Sequence, residues 1–161
     1  MIYTVPFHAV TINGTANTFL TVAEIIVPAT ARCAITGIVV TPADAIPDDQ
    51  DVVVKLNRNS GALGTGGTAI AAAAIPKSDP AGRDALCSAR IAPTAEPATY
   101  EGNGEFVGGF NDRGGLDHPF PDENHEPKVV GGATVSWGLL CASMKTGTAR
   151  VLSGYVTFRE Y

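Results

Sequence analysis

The sequence predicts an all-β fold of about nine antiparallel strands, packed in two sheets as a sandwich or barrel. Three observations predict it. Apolar and polar residues alternate in several segments, as in half-buried strands, and turn-forming residues separate these segments. No long segment carries the apolar stripe of an amphipathic helix. The 18 glycines and 11 prolines are spread between the segments, which favours antiparallel connections over a parallel sheet with crossover helices.

The two clearest strands are predicted at residues 51–58 and 129–140. In the first, Val52, Val54 and Leu56 share one face and the residues between them share the other. The second alternates in the same way and contains the only tryptophan of the chain. Weaker alternation, bounded by Gly, Pro, Asn or Asp, predicts seven further strands, at 3–12, 19–27, 33–41, 67–75, 84–91, 99–106 and 149–159.

The length of the chain and the spacing of these segments predict a single domain over residues 1–161. A chain of this length buries roughly 68–70% of the surface that it exposes when unfolded, so its core needs neither a disulfide nor a metal. The alternation lapses at 107–127, which predicts a long loop there. Loops of that length in compact domains are usually functional or mobile.

Charge and composition limit the possible partners. The formal net charge is −5, and the 11 lysines and arginines are scattered singly, whereas a nucleic-acid surface needs them clustered. The first residues lack the basic region and apolar stretch of a secretory signal, and no apolar run approaches the ~20 residues of a membrane span. We therefore expect neither a nucleic acid nor a membrane as partner.

The three cysteines, Cys33, Cys87 and Cys141, lie among small or apolar residues in or next to predicted strands. Cysteines in such surroundings are usually small buried thiols rather than reactive groups. Because no secretory signal is recognised, free thiols in a reducing cytosol are expected.

Two segments contain binding-site residue types without a binding motif. Residues 59–68 are rich in glycine, but a phosphate-binding P-loop needs Gly-Lys-Ser/Thr at the start of a helix, and no lysine follows. Residues 117–126 hold two histidines and four carboxylates, yet the spacing of His118 and His125 across two prolines matches no established metal site. We expect a strand connection in the first segment and a hydrated polar loop in the second.

The sequence offers no catalytic constellation. The nucleophile elbow Gly-x-Ser-x-Gly does not occur, and the remaining histidine, His8, lies in the predicted N-terminal strand. Acidic residues are common in proteins, and nothing selects a pair suited to glycoside hydrolysis. We therefore expect no enzyme activity, no catalytic residue, no cofactor and no required metal.

The order of the segments resembles that of the small head decoration proteins, or cement proteins, of tailed bacteriophages. This resemblance is one of pattern, covers most of the chain, and rests on the segments 52–58, 64–69, 91–97, 131–133 and 154–160. It implies a jelly-roll-like β-sandwich that binds the outer surface of a phage head, where its partner is the major capsid protein. It also implies a homo-oligomer, most often a trimer, that stabilises the virion without chemistry.

Five apolar residues outside the strongest core strands are candidate contacts with such a partner. Apolar groups in terminal or loop segments tend to be buried in a partner. The alternative is that these side chains fold back onto their own domain. The candidates are Ile2, Tyr3, Phe7, Phe110 and Phe120.

Two other functions compete with capsid binding. A jelly-roll module at the tip of a viral fibre would bind a receptor or a carbohydrate through its loops. Sugar sites usually present aromatic platforms, and Trp137 falls on the apolar face of a predicted strand, which favours a place in the core. A hydrolase that uses the acids of the 107–127 segment lacks the usual signatures.

Overall fold

A computed structural model of the chain describes residues 1–44, 51–111 and 113–161, except for the side chains of 102 and 103. Within these ranges eleven strands form two antiparallel sheets, and the inner faces of the sheets share one buried core, as in a β-sandwich. The predicted all-β fold with two packed sheets is therefore confirmed.

The strands follow the chain with short or irregular connections between them. In chain order they are β1 (Ile2–Ile12), β2 (Leu20–Ile26), β3 (Arg32–Pro42), β4 (Asp51–Asn59), β5 (Thr68–Ile70), β6 (Ser88–Ile91), β7 (Tyr100–Asn111), β8 (Leu116–Pro119), β9 (Lys128–Val130), β10 (Ser136–Ser143) and β11 (Arg150–Glu160).

The first sheet, sheet A, has the strand order β1, β11, β3, β8, and β9 pairs with β3 as well. The second, sheet B, has the order β5, β6, β2, β10, β4, β7. A single 3-10 turn at Ala72–Ala74 is the one helical element of the described ranges. None of the helical structure there has the length and apolar character to cross a membrane.

The core is built from alternate side chains of the long strands. Tyr3 of β1 stacks on Phe158 of β11, with 5.3 Å between the ring centroids. The fully buried side chains with the largest volumes come from both sheets: Trp137, Arg150, Tyr3, Phe158, Ile12, Ile25, Ile35, Ile38, Leu56, Leu139 and Leu152.

Two predictions about buried side chains are confirmed. Trp137 is 1% exposed and lies in the core, where its position in the alternation of β10 predicts it. The three cysteines are free and buried. The single tryptophan therefore does not offer a platform for a sugar.

The strand predicted at 129–140 is wrong in one respect, because it is two strands in different sheets. The chain leaves sheet A after Val130 and enters sheet B at Ser136. Between them, Gly131 approaches the backbone so closely that a Cβ there would lie 1.9 Å from the carbonyl oxygen of Pro28. Alternation continues through this crossing, so the pattern alone does not reveal it.

Two other predicted strands are shorter in the structure. In the 67–75 segment only Thr68–Ile70 is a strand, and its alanines form the 3-10 turn, in line with the weak strand propensity of alanine. In the 84–91 segment the strand begins at Ser88, because the preceding backbone amides, those of Leu86 and Cys87, donate to the Glu160 carboxylate at 2.8 and 2.7 Å.

The long loop predicted at 107–127 is partly strand. β7 continues to Asn111, and β8 occupies Leu116–Pro119. Gly108 contributes no side chain to the alternation of apolar and polar residues, so the sequence pattern does not reveal this part of the strand. The next residue on the inward face, Phe110, is buried, with 8% exposed, as expected in a strand. Strand structure therefore occupies part of the segment that the sequence predicts to be a loop.

We predict that Trp137→Ala lowers the free energy of unfolding by about 3–5 kcal/mol, because a large aromatic side chain leaves a cavity in a packed core. Urea unfolding followed by far-UV circular dichroism measures the loss. Trp137→Phe should lose clearly less, since it keeps most of the buried ring. A loss under about 1 kcal/mol for the alanine variant would show that Trp137 is not part of a packed core.

Candidate binding cleft

Two connections cover the middle of the outer face of sheet B. Residues 60–66 follow β4 and residues 92–99 follow β6, and backbone hydrogen bonds of 2.9–3.1 Å join the two connections. A Cβ at Gly64 would lie 2.8 Å from Oε2 of Glu24, so the first connection rests directly on β2. We call these two connections the cover.

A buried polar network fixes the cover to the sheet. Oε1 of Glu24 accepts hydrogen bonds from Ser136 Oγ at 2.8 Å and from Gly64 N at 3.3 Å. Asn59 Nδ2 donates to Ser136 Oγ at 3.2 Å. Arg90 lies opposite Glu24 on β6, with Nη1 3.7 Å from Oε2. A buried charge is costly unless it is compensated. The contacts of Glu24 with Ser136, Gly64 and Arg90 supply that compensation, so they favour this one arrangement of the cover on the sheet.

Tyr100 closes the same face beside β10. Its ring lies against Gly138, where a Cβ would come within 2.6 Å of it. Its hydroxyl contacts Thr21 Oγ1, which also bonds the Glu96 carboxylate. Burial raises the pKa of Tyr100 above its ordinary value. Since every residue of β10 is buried, this part of sheet B is occupied by the chain itself.

The five predicted contact residues lie in different surroundings. Tyr3, Phe7 and Phe110 are buried in the core of their own domain, which is the alternative that the sequence left open for them. Phe120 is half-buried against the core, and Ile2 is 43% exposed. Ile2 is the most exposed of the five, yet more than half of its surface is covered on a single chain.

The N-terminal segment is buried because it is a strand of sheet A rather than a loose arm. Its free edge is covered by the chain after the 3-10 turn: Thr4 N donates to Pro76 O, and Ser78 N donates to Ile2 O, both at 2.9 Å. Alternate side chains of β1 therefore point into the core.

Phe120 belongs to an aromatic cluster between the edge strands β7 and β8. Its ring lies edge-on to His118 at 4.9 Å and to Phe106 at 6.0 Å, measured between centroids. Phe106 and His118 are 4.3 Å apart. The cluster fills the seam between the sheets on that side of the sandwich.

A cleft of about 620 Å³ opens at one end of the sandwich. It lies where β3 begins, β4 ends and β7 begins, so both sheets contribute to its walls. Its lining residues are Arg32, Cys33, Arg58, Ser60, Glu101, Lys128, Val129, Val130, Val135 and Tyr161.

Positive charge predominates in the lining of the cleft. Arg58 forms an ion pair with Glu101, and hydrogen bonds from Ser60 and Arg58 lower the pKa of the Glu101 carboxyl. Arg32 and Lys128 have no carboxylate within ion-pair distance in the described part of the chain. Among the described residues, these two cations therefore have no ion-pair partner, in a chain whose net charge is −5.

These two cations are neighbours across a strand pair. In the antiparallel pairing of β3 with β9, Arg32 lies opposite Val130 and Ala34 lies opposite Lys128. Arg32 and Lys128 are thus diagonal neighbours on one face, and such positions are ~7–8 Å apart, within reach of long side chains. One anionic group between them can contact both.

Exposed apolar surface lies beside the cations. Val130 is 62% exposed and Tyr161 is 51% exposed. Lys128 Nζ lies 6.0 Å from the centroid of the Tyr161 ring, and Tyr161 N donates to Arg32 O at 3.1 Å. A concave site with apolar walls and a few converging polar groups is the usual form of a binding pocket.

Cys33 in the cleft is a structural thiol. Its side chain is hydrogen-bonded to that of Cys87, and this contact, together with burial, raises the pKa of Cys87. The thiolate is the reactive form of cysteine, so the raised pKa suppresses the chemistry of Cys87. Cys33 itself is fully buried, which keeps its thiol away from solvent.

The polar segment 117–126 is anchored by contacts within the chain. Asp122 Oδ1 lies 2.9 Å from His125 Nδ1, and Arg159 Nε donates to Glu126 Oε2 at 2.8 Å. Among the residues that the structure describes, no three His, Cys, Asp or Glu side chains form a group that could hold a metal ion.

His8 contacts a serine, but the contact belongs to a bulge in β1. Its Nδ1 lies 3.1 Å from Ser153 Oγ, and Ala9 N donates to the same oxygen at 2.9 Å. The bulge gives Ala9 a φ of 52°, a left-handed conformation that non-glycine residues rarely adopt. The serine hydroxyl therefore stabilises a strained turn of the strand.

Comparison of the chain with models of protein families, with curated proteins and with solved structures found no match. The interpretation of the cleft therefore depends on its own geometry. Sequence reasoning missed it, because single scattered cations carry no motif. Arg32 and Lys128 become neighbours only through the pairing of β3 with β9, which the pattern of alternation does not specify.

We predict that Phe110→Ser lowers the free energy of unfolding by about 3–5 kcal/mol, because Phe110 is buried in the core. Ile2→Ser, at an exposed position, should cost less than about 1 kcal/mol. Urea unfolding of both variants measures the difference. Equal losses would contradict the burial of Phe110.

We predict that Ser60→Ala and Arg58→Gln each raise the pKa of Glu101 towards its ordinary value, because each removes a hydrogen bond to the carboxylate. Titration of the Glu101 side-chain carboxyl by carbon NMR measures the change. Lys145→Gln, at an exposed position in the turn after β10, is the control and should leave that pKa unchanged. An unchanged pKa in both test variants would contradict the arrangement of the cleft wall.

Proposed function

We propose that the chain is a non-enzymatic structural protein of a virion, which binds the outer surface of a bacteriophage head as a trimer and stabilises it. Its partner is the major capsid protein, and its fold is a jelly roll. The observation that carries the proposal is the order of the strands, taken together with the resemblance of the segments to phage decoration proteins.

The strand order supports a jelly roll in a specific way. With β5, β6 and β9 set aside, eight strands remain, which are lettered B to I in chain order. Sheet A then has the order B, I, D, G and sheet B the order C, H, E, F. This arrangement corresponds to two interlocked Greek keys, a double-sheet design common in viral capsid proteins and lectins.

The surfaces of the sandwich suit attachment to a protein shell. The cover occupies the middle of one broad face, and the chain after the 3-10 turn protects the edge of β1, so that the exposed sheet edges are limited. The cleft offers charge and apolar surface at one end. Three copies on one symmetry axis would multiply a weak contact through effective concentration.

The rival function, a carbohydrate-binding fibre tip, is also compatible with a jelly roll. It draws no support from the position of Trp137, the aromatic residue best suited to stack on a sugar, because that residue lies in the core. We therefore retain capsid binding as the proposal.

We predict that the purified protein is a trimer in light scattering coupled to size exclusion, and that it cosediments saturably with heads of the source phage prepared without it. Heads that carry the protein should resist heat or chelation better than heads that lack it. A protein that stays monomeric at high concentration and leaves such heads unbound would rule out the decoration function.

A further inference from the structure

We propose that the cleft binds a short extended segment of the capsid protein, in which a carboxylate side chain lies beside an apolar one. Naming the capsid protein as the source of this segment rests on the proposed function. The preference for an acidic, extended segment rests on the cleft alone.

Charge is the first reason. Arg32 and Lys128 are diagonal neighbours on one face and lack a carboxylate partner in the described ranges. A carboxylate that bridges them would form charge-assisted hydrogen bonds, and arginine can hold a carboxylate through two parallel bonds. The third cation of the cleft, Arg58, is already paired with Glu101, so it does not compete for the incoming group.

The apolar surface is the second reason. Val130 and Tyr161 are exposed next to the two cations, and Val129 and Val135 line the wall between the sheets. An apolar side chain adjacent to the incoming carboxylate would cover this surface. The combination excludes a small hydrated anion as the best ligand and favours an acidic residue flanked by apolar ones.

The edge of β9 is the third reason. This strand pairs with β3 on one side and has no strand on its other side within the described residues. An extended segment can add to such an edge through main-chain hydrogen bonds, which supply affinity, while alternate side chains enter the neighbouring pockets. The segment would thus lie along β9 with its acidic residue towards Arg32 and Lys128.

The first test uses a synthetic peptide, acetyl-Val-Glu-Val-amide, with acetyl-Val-Gln-Val-amide as its matched neutral control. Titrated into the whole protein, the acidic peptide should shift the backbone amide NMR signals of residues 32–34, 128–130 and 161 in a saturable way. The neutral peptide should bind about tenfold more weakly, the loss expected for one charged hydrogen-bonding group. Raising the salt concentration should weaken the acidic peptide's binding.

Variants assign the binding to the two cations. Arg32→Gln and Lys128→Gln should each weaken the acidic peptide about tenfold. Both positions are exposed, so the variants should unfold at the temperature of the unchanged protein. Lys145→Gln, in the turn at the other end of β10, should leave binding as it is. Shifts that fall outside the cleft, or equal binding of the two peptides, would overturn the inference.

The second test uses phage heads that lack the protein and separates the two proposals. If the unchanged protein binds these heads, the double variant Arg32→Gln/Lys128→Gln should bind them at least tenfold more weakly than Lys145→Gln does. Equal binding of the double variant would overturn the cleft as the docking site and leave the decoration function standing. Heads that bind none of these proteins, with the peptide still bound in the cleft, would remove the function and keep the preference for an acidic segment.

Discussion

Strand β10 is buried on both of its faces, and the two sheets and their connections pack around it. All eight of its residues are buried, and the strand lies between β2 and β4 in the middle of sheet B. Its inward side chains, Trp137 among them, are covered by sheet A. Its outward side carries Ser136, which is hydrogen-bonded to Glu24 and Asn59, and Gly138, which packs against the Tyr100 ring. The cover lies over the same face, where Gly64 contacts Glu24.

This arrangement places a carboxylate in the interior of the protein. Glu24 is fully buried beside Ser136, and its position is tolerated because Gly64, Ser136 and Arg90 supply donors and charge. Removal of one partner would leave a buried charge uncompensated, which usually destabilises more than the pair stabilises. A network of this kind specifies where the cover must lie, and it leaves that face of the molecule with little freedom to bind a partner.

The surface that remains for a partner is therefore limited, because several regions are already used for contacts within the chain. The middle of sheet B is used within the chain, and Arg159 holds the 120–127 turn against sheet A through the carboxylates of Glu123 and Glu126. The cleft is different, because Arg32 and Lys128 have no ion-pair partner in the part of the chain that the structure describes, and they lie next to exposed Val130 and Tyr161. This combination of positive charge and exposed apolar surface is what the cleft offers to a partner.

The sequence predicts the regular part of this fold and little of its site. Alternation placed β1 to β4 and β11 to within about two residues, since each of these strands has one face in the core. It failed where glycine removes side chains from the pattern, as at Gly108, and where the chain crosses between sheets at Gly131. The cleft is invisible in the sequence, because the approach of Arg32 to Lys128 depends on strand pairing between distant segments.

Hydrogen exchange followed by mass spectrometry, with the protein compared free and bound to phage heads, measures which surface of the sandwich a partner covers. If the cover is complete and the cleft is the docking surface, binding should slow exchange in β9 and at the start of β3. The 60–66 and 92–99 connections should exchange alike in both states. Slowed exchange in those two connections, with β9 unchanged, would contradict the cleft as the docking surface. It would place the partner on the outer face of sheet B, which the cover occupies.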